Sequence, residues 1–246
     1  MTGMGERGTP SSLQNGSMPT IDQILDKHLR AMGGRENIKQ LSSRVMKGSF
    51  QIRTAKGSSG APPQMITGTV EFYQKAPNKS LAVINFPNYI QSIRGFDGSR
   101  GWSNEPPNGL RDVVGLELGQ MKVNSEFYFE TKLNELYPVM KLKGRERVGV
   151  QEAYVVDAKA AGEAEPESFY FNTRTGLVIR RRYIEASPQG KAPAQSYYAN
   201  YKAVNGVQIP FSMTYKGASL EMRIKITAVK HNVKIADQKF EKPPAK

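Results

Sequence analysis

Residues 195–233 hold three successive segments in which apolar and polar side chains alternate at every second position, as they do along half-buried strands. The first places Tyr197, Ala199, Tyr201 and Ala203 on one side. The second places Val207, Ile209, Phe211, Met213 and Tyr215 together, and the third Leu220, Met222, Ile224, Ile226 and Ala228. Directly opposed residues of an antiparallel pair share a face, so these parities constrain the turns. A three-residue loop, Val204-Asn205-Gly206, pairs Ala203 with Val207 and keeps both apolar sets on one side. A two-residue Gly217-Ala218 turn then pairs Tyr215 with Leu220. The stretch reads as a three-stranded meander with one continuous apolar face, and the rest of the chain must cover that face.

Upstream, Thr20-Ile21-Asp22-Gln23 is a capping box after Pro19. Ile21, Ile24, Leu25, Leu29 and Met32 follow at helical spacing up to Gly33-Gly34. A short second helix over 35–41 buries Ile38 and Leu41. His28 borders the apolar stripe and reads as a surface or border histidine, not a ligand. Strands follow, with Met46, Gly48, Phe50 and Ile52 on one face, then Ile66, Gly68, Val70 and Phe72 on another. A Gly/Ser/Pro loop over 56–63 lies between them, and two less regular strands cover 80–86 and 89–96.

Beyond Trp102 the alternation stops. Residues 110–121 and 125–136 carry apolar residues at helical spacing, with no strand partner expected for 110–137. This segment is too apolar to stand free in water and is the natural cover for the sheet. Strands resume at Val139, through Tyr154-Val155-Val156 and the hairpin Phe169-Tyr170-Phe171 to Leu177-Val178-Ile179. Residues 1–17 read as a disordered tail or linker and 18–246 as one α+β domain.

Composition removes several classes of chemistry. The absence of cysteine excludes disulfides, thiol catalysis, Cys-ligated zinc and Cys-x-x-Cys-His haem attachment. The two histidines lie far apart, and no Walker loop, Gly-x-Ser-x-Gly or His-Glu-x-x-His occurs. Gly3, Gly5 and Gly8 match a dinucleotide fingerprint without its strand or helix. No enzymatic activity, cofactor or metal is expected, and acidic residues are expected mainly in loops and on polar faces. The net charge of +13 is spread over strand faces (Lys47, Arg53, Lys202, Arg223, Lys225). That pattern fits an anionic lipid surface better than nucleic acid, which is not an expected partner. No segment is apolar enough to span a bilayer as a helix, and no signal core stands at the N-terminus, so an exported protein would be represented here by its mature form or a fragment.

Three short motifs, in order, resemble those of the periplasmic lipoprotein carriers and receptors LolA and LolB and their relatives. They are Lys75-Ala76-Pro77-Asn78, Asp97-Gly98-Ser99-Arg100-Gly101-Trp102, and Phe240-Glu241-Lys242-Pro243-Pro244. The resemblance covers about residues 19–244. It implies an incomplete antiparallel β-barrel, a strongly curved sheet whose open side is covered by helices over about 110–137, with a cavity for lipid or lipoprotein acyl chains. The cavity residues this implies are Phe50, Phe72, Phe86, Trp102, Leu116, Met121, Phe129, Leu133, Tyr201, Phe211, Met213 and Met222. Leu116, Met121, Phe129 and Leu133 are expected to face Phe50, Phe72, Phe211 and Met222. The family arginine tied to lid closure and lipoprotein release is Ala76 here. The helix ended by Gly-Gly and the stretch Val148–Val156 also resemble LolA-like domains that follow haem segments in envelope cytochrome subunits. That resemblance implies an alternative: an accessory subunit or detached domain of a membrane-bound electron-transfer complex.

Overall fold

The computed structural model describes residues 18–54, 64–162, 165–218 and 220–244. The expected tail over 1–17 and loop over 56–63 lie outside the described residues. The first helix, α1 (Ile21–Ala31), starts where the capping box requires: Thr20 Oγ1 accepts from Gln23 N at 3.2 Å, and Thr20 N donates to Gln23 Oε1 at 2.9 Å. It buries Ile24, Leu25 and His28. The next helix, α2 (Gly34–Lys39), buries Ile38, and Leu41 beyond it is also buried.

Among the described residues, thirteen strands form one antiparallel sheet. They are β1 (Ser43–Thr54), β2 (Met65–Lys75), β3 (Lys79–Asn85), β4 (Gln91–Phe96), β5 (Gly101–Glu105), β6 (Gly109–Val113), β7 (Val139–Val148), β8 (Gln151–Lys159), β9 (Glu167–Asn172), β10 (Val178–Ser187), β11 (Gly190–Val204), β12 (Val207–Lys216) and β13 (Leu220–His231). Their order is β6-β5-β4-β3-β2-β1-β13-β12-β11-β10-β9-β8-β7. Every neighbouring pair except β1 with β13 is consecutive in the chain. The free edges, β6 and β7, are also consecutive, so the segment joining them must travel from one edge to the other. That segment contains α3 (Gly115–Ser125) and α4 (Leu133–Leu136). The sheet does not close: it is a curved, incomplete barrel with helices at its gap.

The early strand parities appear as read. Phe50 and Ile52 of β1 and Val70 of β2 are buried together with Ile224 and Ile226 of β13. The meander is also present, but both of its turns differ from expectation. Val204 pairs with Val207, leaving a two-residue Asn205-Gly206 turn with φ of 49° and 77°, the primed geometry that matches strand twist. A three-residue loop requires an unbroken alternation along β11. That alternation breaks at Asn200, which sits at φ 53°. Tyr198 and Tyr201 consequently both pack against buried clusters, although they are three residues apart. Ser196 and Tyr198, not Tyr197 and Ala199, face the interior at the start of β11. At the second turn Tyr215 pairs with Met222, two residues beyond the expected partner. In β13 a bulge at Thr227 exposes Ala228 and turns Val229 inward.

Two further expectations change. Residues 109–113 are a strand paired with β5, not part of a helix, because Pro106-Pro107-Asn108 is a hairpin loop and Gly109 takes φ 65°. Strand β10 runs on to Ser187 through Arg180-Arg181-Arg182, whose charge hid it. Arg181 points inward, while Arg180 lies over the Tyr170 ring at 4.7 Å and Arg182 donates to its hydroxyl on the outer face. The C-terminal segment packs on the outer face of the sheet, where buried Ile235 and Phe240 meet Leu81 and Trp102.

Candidate ligand cavity

A cavity of about 750 Å³ lies between the sheet and α3. Its apolar lining is Met46, Phe72 and Ala82 from β1–β3, Met213 from β12, and Leu116, Met121 and Val123 from α3. Between and beside these stand Arg94, Glu117, Glu167, Arg181, Tyr183, Glu185, Ser196 and Tyr198, with Arg94 directly opposite Ala82 and Tyr198 opposite Met213. The interior is therefore more polar than the strand alternation led us to expect, and carboxylates expected in loops stand in its wall.

Helix α3 is fastened on both sides of the gap. Towards β4 and β6, the Glu117 carboxylate accepts from Arg111 at 2.8 and 2.7 Å and from Arg94 Nη2. Hydrogen bonding to Glu117 holds the Arg111 guanidinium above its ordinary value. Towards β10, the Gln120 amide donates to Ile184 O and accepts from Ala186 N at 3.1 Å. The close approach to β5 depends on Gly101, where a Cβ would lie 2.7 Å from the Met121 sulfur.

A second ion pair braces the β9–β10 side. Arg181 donates to Glu167 through Nε at 3.0 Å and Nη2 at 2.6 Å, and the Tyr137 hydroxyl donates to the same carboxylate. The Arg181 guanidinium lies over the rings of Phe169 at 4.9 Å and Phe129 at 5.5 Å. Burial opposes its charge, but Glu167 and the neighbouring tyrosines outweigh burial and raise its pKa. Burial pushes the Tyr183 hydroxyl up to about 12. Burial, together with a hydrogen bond to Glu185, raises Tyr215. The wall thus offers fixed ion pairs and neutral hydroxyls beside an apolar surface, a composition suited to holding a ligand with both apolar and polar parts.

Of the residues expected in the cavity, Phe72, Leu116, Met121 and Met213 stand in its wall. Phe50, Phe86, Phe211 and Met222 pack with Phe72 in the cluster between β1, β2, β12 and β13, not in the wall. Phe129 and Leu133 pack against Tyr137, Phe169 and α1 instead of facing Phe50 and Met222, because the segment from 126 onward crosses towards β7. Tyr201 packs with α1, α2 and β12 and donates to Val178 O at 2.7 Å. Trp102 belongs to the opposite face: its Nε1 donates to Phe240 O at 2.8 Å, and only 4 % of the residue is exposed. Strand alternation explains this, since neighbouring Ser103 takes the inward position. Arg94, Glu117, Gln120 and Arg181 also stand in the wall, beyond the residues expected there.

His28 is buried, not at the surface. Its Nδ1 lies 2.9 Å from Gly176 O and its Nε2 2.6 Å from Glu130 Oε2. Among the described residues no helix is long and apolar enough to cross a membrane.

No known protein-family model matches the chain, and no curated protein matches its sequence. Solved structures do share its architecture. A DUF1329 family protein from Desulfovibrio piger is 14% identical with a TM-score of 0.58, covering 90% of this chain and 97% of its own. A LolA superfamily protein from Nitrosomonas europaea is 14% identical with a TM-score of 0.56, covering 92% and 99%. A domain from Vibrio parahaemolyticus assigned to outer membrane lipoprotein sorting is 8% identical with a TM-score of 0.55, covering 89% and 97%. The fold is LolA-like.

Proposed function

We propose that this protein is a non-enzymatic carrier of the cell envelope that holds a hydrophobic ligand, lipid or lipoprotein acyl chains, between its sheet and α3. The observation that carries the reading is the cavity of about 750 Å³, whose apolar wall brings Met46, Phe72, Met121 and Met213 together from distant parts of the chain. A packed core would have filled such a volume, since interiors tolerate few voids larger than a water molecule. The wall carboxylates Glu117, Glu167 and Glu185 are already engaged with arginines and tyrosines, which suits binding better than acid–base chemistry. The LolA-like fold supports a periplasmic location, and the Vibrio domain's assignment to lipoprotein sorting fits the same class of cargo. Native mass spectrometry after mild extraction is expected to show a co-purified lipid, and the stripped protein to take up a fluorescent fatty acid. A protein that is clean as isolated and takes up no probe would refute the reading.

A further inference from the structure

One row of inward positions crosses the sheet in register: Met46 opposite Phe72, Phe72 opposite Ala82, Ala82 opposite Arg94, Arg94 opposite Ser103, and Ser103 opposite Arg111. Its apolar end is the wall of the cavity, and its polar end holds two guanidinium groups two strands apart, on β4 and β6. Both arginines converge on one carboxylate, Glu117, which comes not from the sheet but from α3. Among the described residues, four buried side-chain polar atoms lack a partner, and three of them are Arg94 Nε, Ser103 Oγ and Arg111 Nε. Buried donors are rarely left unpaired, so their concentration at one place needs a reason. Glu105 lies 3.9 Å from Arg94 Nε, too far for a hydrogen bond. It balances one guanidinium charge and Glu117 the other.

We propose that Arg94 and Arg111 form a headgroup site for the oxyanion of a singly charged amphiphile, and that Glu117 occupies this site when the cavity is empty. This rests on the carrier reading above. When α3 moves aside, Glu117 leaves with it, because the carboxylate is carried on the helix. The strands retain two arginines, one glutamate and unused donors, a set that favours an incoming carboxylate or phosphate. The acyl chain then lies along the same row over Ala82, Phe72 and Met46. Entry of the ligand and release of α3 are thus one exchange of anions on a fixed pair of cations.

The test compares dodecanoic acid with dodecanol at neutral pH, each displacing an uncharged fluorescent probe from the stripped protein, with acetate and inorganic phosphate as further arms. The acid is expected to bind about tenfold more tightly than the alcohol, as one charge-assisted contact would give, and neither small anion displaces the probe. Arg94→Gln removes most of the acid-over-alcohol preference. Glu117→Gln increases it, because the internal competitor is gone, and this opposite sign stands even if the arginine variant does not fold. Equal affinity for acid and alcohol in the native protein and in Glu117→Gln would overturn the headgroup site while leaving the cavity reading intact. Displacement by phosphate as effective as by the acid would overturn the amphiphile. Binding of neither chain would overturn both readings.

Discussion

His28 and Glu130, 102 residues apart in sequence, meet at 2.6 Å and tie α1 to the crossing segment that follows α3. The other ring nitrogen faces the carbonyl oxygen of Gly176 in the β9–β10 turn, and Phe171 packs edge-on against the ring at 5.1 Å. One imidazole therefore joins a helix, a turn and the cover of the barrel.

Burial works against a charge on Glu130, but His28 first, then Arg181 and Arg44, outweigh it and hold the carboxyl below its ordinary value of 4.5. A depressed carboxylate stabilises the fold fully above its ordinary value, and that contribution is lost as pH falls through the lower, folded value. Glu130→Ala is expected to cost about 2–3 kcal/mol at neutral pH, less than for a fully enclosed pair because the Glu130 side chain is 28% exposed. Urea midpoints measured between pH 7 and 3 should fall less steeply below pH 4.5 in the variant than in the native protein.

His231 gives a second and separate acid response. Burial and the adjacent Arg44 lower it to about 4, and Arg44 Nε donates to its Nε2 at 3.0 Å, which requires a neutral ring nitrogen there. Unfolding restores the ordinary value of 6.5, so the unfolded chain binds the extra proton and stability falls as pH drops from about 6.5 to about 4. His231→Gln should flatten the upper part of that window, above the range where Glu130 acts. A native protein whose stability is level from pH 6.5 to 5 would show that the ring is not held neutral.

Trp102→Phe should separate stability from binding. It leaves the carbonyl of buried Phe240 without its donor, a loss of about 1–3 kcal/mol. Uptake of a fluorescent fatty acid by the folded variant should be unchanged, since Trp102 faces away from the cavity. A changed affinity would place the indole in the wall after all.

Gly33 and Gly34 both take positive φ, 116° and 82°, but only Gly33 meets the meander: a Cβ there would lie 2.0 Å from Gly206 O, whereas nothing lies within 4 Å of Gly34. Gly34→Ala should cost about 1–2 kcal/mol from left-handed backbone alone. Gly33→Ala adds overpacking of about 1–3 kcal/mol. Thermal unfolding of the two variants checks the difference, and equal losses would mean that the corner of α1 and α2 moves freely from the Asn205-Gly206 turn.

What could be read in the sequence was what depends on neighbours along the chain. The Thr20 cap needs only Gln23, and the inward parity of Phe50, Ile52 and Val70 needs only strict alternation. Tyr198 was misplaced because Asn200 adopts a positive φ that its residue type permits but does not require. Arg181 was missed because two arginines flanking it on the outer face concealed a strand. The cavity's polar wall depends on Glu117 reaching arginines on β4 and β6, and the His28 contact on a carboxylate far along the chain. Neither leaves a local pattern. Trp102 fell on the wrong side because its hairpin motif records a structural contact with Phe240, not a contact with ligand.

The pairing of β1 with β13 has a kinetic consequence. Every other strand pair is a hairpin or a short connection that can form as soon as its two members exist. Joining Arg44 to His231 must close 187 residues of chain. Loop closure grows only slowly more costly with length, but it must be met before the contact repays it. Two half-sheets, β2–β6 extended by β1 and β7–β12 extended by β13, are therefore expected to form early and meet late, with β1 and β13 as exposed, pairing-competent edges in the interval. During that interval the chain is most open to edge-to-edge association with other copies of itself.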